Sequence, residues 1–525
     1  MSHIIAVDRT DVKLTIARAV GQWRRVVVWL QTVPSAIWLI VALLLATAAR
    51  LPALGEQSLW IDEGNTYIRA VLPLGVVLEN LLAVRNQTPF YYLLMRPWVA
   101  LFGVSEFVLR LPSTWCAVVN VALIYRLGRL SGQRRVGVWA ALAMALSPFL
   151  VRLAREARMY TMAVLFGTGA MWGFLLAVRR GGWQHWAVFV VFSGMSYLTH
   201  YSTLALALVQ LFVFLSALRT TYPALRKWVL AQAVAVVPAG GWMACSMFSH
   251  GYGGILGLWI PMPSLLAPLR TLWNFSLGYD GRFTPWAAWG LVPFAAGLAG
   301  MARLRAERLW RTCVLTWLAV PPVIVLVLSL GLRPCYVDRY LSFCAPAYLL
   351  GVVAGLTARS RAWLRGALGT LLMVAMGVST LGILQGQRLL MPDWQGAIAR
   401  VLEQAEDGDR LFVDAKGFYV TIYYTGSAMP VERIDVSSAG VVLEEALCRE
   451  GRVWFLYRDP AESCHVFDRV RRFDPYSSGQ PEIGAWLVDH ASQVSREWIL
   501  DGVYLALLEP GNCDSSMSRQ GGGLP

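Results

Sequence analysis

Charge is the first thing this sequence is short of. Charged residues make up 15% of its 525 positions, against about 25% in soluble domains, which excludes an ordinary soluble domain. There is no Walker or dinucleotide fingerprint, so a primary ATP-driven pump is not expected. None of the eight cysteines falls in a CxxC pair, which argues against a zinc ribbon or a thiol redox motif. No small-residue cleavage site follows Arg18, Arg24 and Arg25, so a cleavable signal peptide is not expected. Internal repeats are also missing. What fills the space is apolar: 57% of residues are hydrophobic, and the chain reads as a polytopic α-helical membrane protein. The net charge of +14 lies in short clusters between apolar runs, as the positive-inside rule requires, and does not point to nucleic acid.

A spanning helix needs roughly 20 apolar residues, and arginine clusters fix the direction of each crossing. A first span is expected at about 34–53, preceded by a cytoplasmic segment, 1–33. The cluster Arg126, Arg129, Arg134 and Arg135 should be cytoplasmic, so a single crossing, 107–127, fits between it and residue 54. Residues 54–106 then form a long outer loop, with 89–103 an interfacial or re-entrant helix. Further spans follow at 136–151, 159–178, 183–199, 203–218, 228–248, 285–302, 312–330, 340–357 and 366–385. The total is about eleven, within a transmembrane domain of 34–390. Everything beyond about 390 is placed outside. There the composition turns polar, and short runs such as Val453-Trp454-Phe455-Leu456-Tyr457 predict a small extracytoplasmic α/β domain over 393–511. Residues 512–525 read as a disordered tail. Cys448 and Cys464 could pair if that region is extracytoplasmic.

Four features fall on the outer face. Asp62 and Glu63 are adjacent acids just after the first span. They could simply be a solvated pair at a helix start, or one could act while the other supports structure or binds a metal, since neighbours on a helix point about 100° apart. Arg152, Arg155 and Arg158 stand where the charge rule disfavours them. Arg152 and Glu156 can form an i, i+4 pair, leaving Arg155 and Arg158 for a phosphate. His200-Tyr201 ends a span, as a helix-end pair or as a ligand. Arg333 to Tyr340 could be an interfacial aromatic belt or a second phosphate contact. Carboxylates beside outward-facing arginines imply a lipid-linked phosphate held by guanidinium while a carboxylate takes a proton from an attacking hydroxyl.

These residues also carry a resemblance. The runs Leu59-Trp60-Ile61-Asp62-Glu63, Thr88-Pro89-Phe90-Tyr91-Tyr92, Arg110-Leu111-Pro112, Glu156-Ala157-Arg158-Met159-Tyr160, Thr199-His200-Tyr201 and Arg339-Tyr340-Leu341 occur in the order found in a known group. The chain resembles the membrane-embedded GT-C glycosyltransferases of the protein O-mannosyltransferase and aminoarabinose-transferase type. The resemblance implies inverting transfer of a sugar from a polyprenyl-phosphate carrier in the lipid bilayer to a glycan, lipid or protein acceptor outside the cytoplasm, at a plasma membrane. It implies Asp62 as base and Glu156 as the second catalytic carboxylate. Glu63, Arg155, Arg158, Tyr160, Tyr201, Arg339 and Tyr340 become substrate-contact candidates, and Glu63 and His200 candidate ligands of a divalent metal ion. The large inserted sugar-binding domains of eukaryotic members are missing, which leaves the acceptor open. A transporter or flippase, the alternative, calls for charges spread through the midplane and a repeat of broken helices. A non-catalytic glycan-binding subunit calls for Asp62 and Glu63 turned away from any cavity.

Overall fold

The computed structural model describes residues 33–83, 87–216, 218–250, 260–278, 285–301, 306–385, 392–435, 438–450, 452–458, 486–500 and 503–510. The expected N-terminal segment, but for Val33, and the expected tail lie outside these residues. So does Cys464, although Cys448 is disulfide-bonded.

The transmembrane part begins with α1 (Ser35–Ala48). The segment expected as an outer loop, 54–106, is helical: α2 (Ile61–Val71), α3 (Leu74–Ala83) and α4 (Phe90–Phe102). Then come α5 (Glu106–Arg129), α6 (Arg134–Ala145), α7 (Pro148–Ala154), α8 (Tyr160–Arg180), α9 (Trp183–Thr199) and α10 (Ala205–Ser216). The remainder is α11 (Leu218–His250), α12 (Ala267–Leu277), α13 (Pro285–Gly300), α14 (Arg308–Gly331), α15 (Ala345–Thr357) and α16 (Ala362–Leu384). Each expected span coincides with a helix or a bent helix pair. Among the described residues six are long and apolar enough to cross a membrane by length and composition alone, and seven if the bent pair is one span. The others, α1 and α10 among them, are shorter apolar helices. Large apolar side chains such as Val234, Val237, Val323 and Val327 stay exposed, the pattern of a lipid-facing surface. This is a multi-pass membrane protein.

One bend positions the site. Helices α6 and α7 meet at 56°. Pro148 opens α7 and cannot donate a backbone hydrogen bond, while the Ser147 hydroxyl accepts from the Leu150 amide at 3.4 Å. The Thr380 hydroxyl on α16 donates to the Leu146 carbonyl at 2.8 Å, satisfying a group the bend frees. The chain leaves α7 at Arg155 and enters the loop that precedes Tyr160.

The C-terminal region is a five-stranded sheet, order β2-β1-β3-β5-β4. It comprises β1 (Arg410–Asp414), β2 (Val431–Ile434), β3 (Val453–Arg458), β4 (Val494–Leu500) and β5 (Val503–Leu508). Strands β2, β1 and β3 are parallel, and β5 and β4 close the sheet antiparallel. Alternation puts Leu411 and Val413 on one face and Phe412 on the other. The first face joins the main core through α17 (Trp394–Gln404) and α18 (Phe418–Thr425). The second packs on α19 (Ala439–Glu450).

The sheet region rests on the outer loop. The Tyr424 hydroxyl accepts from the Leu59 amide at 2.7 Å, and the Tyr67 and Tyr423 rings meet edge-on at 5.0 Å. Gly64 of α2 lies so close to α18 that a Cβ there would stand 2.8 Å from the Val420 nitrogen.

Candidate active site

Helix α2 starts at Ile61, so Asp62 and Glu63 occupy its first turn, where carboxylates favour the helix dipole. The two then diverge. Glu63 is wholly buried. Its Oε1 accepts from Arg110 Nε at 2.8 Å and from the Ala157 amide at 2.7 Å. Its Oε2 accepts from Arg110 Nη2 at 2.7 Å and from the Trp60 amide at 3.3 Å, closing the helix start. Arg110 also donates to the carbonyls of Leu54, Gln57 and Ser58 at 2.9–3.0 Å. This bidentate pair therefore staples the outer loop to α5.

Asp62 points elsewhere. A quarter of its side chain remains open, and Oδ2 lies 3.9 Å from Arg158 and 3.7 Å from Arg339. Both distances exceed hydrogen-bonding range, so the carboxylate is flanked by two guanidiniums without being saturated by them. The arginines are held from behind. Arg158 donates to the Asp62 carbonyl at 3.2 Å and the Tyr92 hydroxyl at 3.1 Å. Its loop is tied down by Ser113 to the Arg158 carbonyl, Thr114 to the Ala154 carbonyl and Thr66 to the Ala157 carbonyl, at 2.8–2.9 Å. Arg339 sits on a 3-10 turn, Asp338–Cys344, and lies over the rings of Trp60 and Tyr160 at 5.4 and 5.8 Å, a cation–π arrangement.

The far wall is aromatic. Tyr340 lies 6.3 Å from Tyr160 and 5.0 Å from His200, ring to ring. The Ser202 hydroxyl donates to the Tyr340 carbonyl at 2.7 Å, and the Ser202 amide donates to His200 Nδ1 at 3.2 Å. This joins the turn after α9 to the turn before α15. Burial, reinforced by Arg158 and Arg339, depresses the His200 pKa to about 4, so the imidazole is neutral at physiological pH. Tyr201 follows directly, and its buried hydroxyl has no partner among the described residues.

Glu156 sits in the loop that Arg158 leaves. Its Oε1 faces Arg152 Nε at 3.3 Å, while the buried Oε2 has no partner among the described residues. Burial pushes this carboxyl up from its ordinary range, against the pull of Arg152 and Arg339. For Asp62, burial also acts upward, but Arg158, Arg339, Arg69 and Arg458 together outweigh it, and its pKa lies below the usual value. Asp62 is therefore ionised through the neutral range.

Asp62, Arg158, Tyr160, His200, Arg339 and Tyr340 thus gather in one cluster. Arg155 does not join it. Its guanidinium donates to the carbonyls of Arg50, Pro52 and Ala53 at 2.6–3.0 Å, locking the turn after α1. Both oxygens of Glu63 are taken up by donors from Arg110, Ala157 and Trp60. Among the described residues no three His, Cys, Asp or Glu side chains gather as a metal site. Sequence reasoning missed Arg110, Trp60, Arg69 and Arg458. The first three lay within the motif runs or the outer loop, but nothing in their spacing shows which carboxylate they serve. Arg458 ends β3, far along the chain.

A family model described as dolichyl-phosphate-mannose-protein mannosyltransferase matches residues 86–242, a stretch that contains Glu156, Arg158 and His200. No curated protein matches the sequence. Among solved structures, ArnT from Cupriavidus metallidurans superposes over 90% of this chain and 97% of its own. The TM-score is 0.61 in the apo state and 0.59 bound to undecaprenyl phosphate, each at 12% identity. The chain has the GT-C fold. The oligosaccharyltransferase of Archaeoglobus fulgidus, in complex with zinc and sulfate, matches the GT-C fold at TM-score 0.50 and 14% identity, over 81% of this chain and 68% of its own.

Proposed function

We propose that this protein is an inverting glycosyltransferase that moves a sugar from a polyprenyl-phosphate carrier to an acceptor hydroxyl at the outer face of a prokaryotic plasma membrane. The carrying observation is Asp62 Oδ2, an open carboxylate between the guanidiniums of Arg158 and Arg339 at 3.9 and 3.7 Å. The family-model match and the ArnT likeness support the same reading. The N-terminus is cytoplasmic and the sheet region extracytoplasmic, as the arginine clusters between spans require.

The acceptor oxygen attacks the anomeric carbon from the face opposite the phosphate. Asp62 takes the hydroxyl proton as the new C–O bond forms. The bond from carbon to phosphate oxygen breaks, and its electron pair leaves on the carrier phosphate. Arg158 and Arg339 hold that phosphate and stabilise the charge it gains. A low pKa suits Asp62, because the attack needs the ionised form and the leaving group needs no acid. Tyr160 and Tyr340 bracket the phosphate or the sugar ring, and His200 braces the Tyr340 turn as a neutral imidazole. Glu156 presents its unpartnered oxygen to a substrate hydroxyl. Glu63 and Arg155 serve the loop rather than the substrate, and no step passes through a metal.

The test is transfer from a polyprenyl-phosphate sugar by purified protein carrying Asp62→Asn. Loss of turnover with retained donor binding is expected. Turnover within a few-fold of wild type would remove Asp62 as the base.

A further inference from the structure

At the opposite end of the same helices lies a cavity that the proposed reaction does not use. Its volume is about 390 Å³, within the range of small-molecule and cofactor sites. Trp38 of α1, Arg135 and Trp139 of α6, Leu356 of α15, and Arg365 and Gly369 of α16 form its walls, with Arg134 at the rim. Helices α1, α6–α7 and α15 each run from this cavity toward the Asp62 site. Arg339 lies on the 3-10 turn before α15 and Leu356 in the last turn of α15, and the α-helical part between Ala345 and Leu356 alone spans roughly 16 Å at 1.5 Å per residue. The two sites therefore lie at opposite ends of these helices.

The cavity is apolar inside and cationic at its mouth. No Asp or Glu lines it among the described residues. Arg134 donates to the Val33 carbonyl at 2.9 Å, and Arg365 donates to the Arg359 and Ser360 carbonyls at 2.6 and 3.1 Å. Both guanidiniums are thereby anchored to the backbone at the rim. Arg135 and Arg365 stand within electrostatic reach of each other, and like charges so placed favour an anion between them. The α16 wall is kept low by Gly369, where a Cβ would come within 2.9 Å of the Trp139 indole. Two tryptophans beside the arginines match the membrane–water interface, where indole rings and basic residues collect.

We propose that this cavity binds an anionic phospholipid of the inner leaflet. The phosphate sits between Arg135 and Arg365, with Arg134 beside it, and an acyl chain enters the apolar interior. Arginine is suited to phosphate, and basic pockets between membrane helices take anionic headgroups. Residues 1–32 are a poor occupant on charge. They carry Arg9, Lys13, Arg18, Arg24 and Arg25 against Asp8 and Asp11, and would bring cations to cations.

The experiment measures binding of phosphatidylglycerol and phosphatidylcholine to the full-length protein by native mass spectrometry, with Tm recorded for each. Wild type is expected to bind phosphatidylglycerol about ten-fold more tightly than phosphatidylcholine and to gain Tm from it. The double variant Arg135→Ala, Arg365→Ala should lose that preference. Gly369→Leu, which fills the cavity with its charges intact, should lose it as well. Equal binding of both lipids by wild type, or an unchanged preference in both variants, overturns the proposal. Thr370→Cys, on the cavity wall, reports the occupant. Maleimide labelling in lipid-free detergent that phosphatidylglycerol blocks supports the lipid. Protection in lipid-free detergent means that the chain itself fills the cavity, and overturns the proposal.

Discussion

Two arginine–carboxylate clusters lie one residue apart on α2, and they are built to opposite specifications. At Glu63 both oxygens are within 2.7–3.3 Å of four donors, and the side chain is sealed from water. At Asp62 two guanidiniums stop at 3.7 and 3.9 Å, and a quarter of the carboxylate side chain stays open. A saturated carboxylate has no lone pair left for a proton or a substrate, so its energy goes into fixing the loop. An unsaturated one keeps its charge available, and the cations around it keep a place for a second anion. Adjacent residues can therefore divide structure from chemistry, because the helix turns them apart.

Several substitutions sharpen or break that contrast. Asp62→Asn should cost most, about 10²–10⁴-fold in kcat, with Tm held within a few degrees. A large fall in Tm instead would show the two clusters to be alike. Arg110→Met should do the converse. It leaves a buried charge uncompensated, which costs about 3–5 kcal/mol of stability, read as a lower denaturation midpoint and poor yield. Arg339→Lys keeps the charge but loses the planar fork. Transfer should drop by about 10–100-fold while Tm barely moves, and an unaffected rate would take Arg339 out of the phosphate site.

Glu156 gives a pH signature. Its carboxyl is raised by burial, so it holds its proton to higher pH than a free glutamate, whereas Asp62 is lowered and stays ionised. Activity that needs both ionised should fall on the acid side at the pKa of Glu156, above the ordinary value near 4.3. Glu156→Gln should move that limb to lower pH, and an unmoved limb would assign it to another group. The smallest effect is expected from Arg458→Ala. Arg458 acts on Asp62 through charge alone, and a loss of about two- to five-fold in kcat/KM that shrinks further at high salt is the expected reading.

Much of this was legible in the chain, and for definite reasons. Apolar runs punctuated by arginines mark helices whether or not tertiary contacts are known, and the apolar run Val453 to Tyr457 marks β3, which the structure extends by Arg458. Counting crossings also puts Asp62 and Arg158 at the same end of the helices, and the structure brings them together. What could not be read is which partner each charge meets. Glu63 looked as free as Asp62 because Arg110 stands 47 positions away. Arg155 looked like a phosphate ligand because its acceptors are backbone carbonyls more than 100 positions upstream, and carbonyls carry no sequence signal. Both misreadings arise where a charge is consumed by long-range backbone geometry.

Gly64 carries a mechanical consequence. A Cβ at Gly64 would stand 2.8 Å from the Val420 nitrogen of α18, so α2 packs directly on a helix of the C-terminal sheet region, within one turn of Asp62. Any tilt of that sheet, by a bound glycan or by a neighbouring protein, would be passed to Asp62 as displacement rather than absorbed. A single methyl at position 64 would act as a wedge, shifting Asp62 away from the arginines without removing any charged side chain. Exchanging one sheet domain for another would then move Asp62 relative to Arg158 and Arg339, with the make-up of the cluster unchanged.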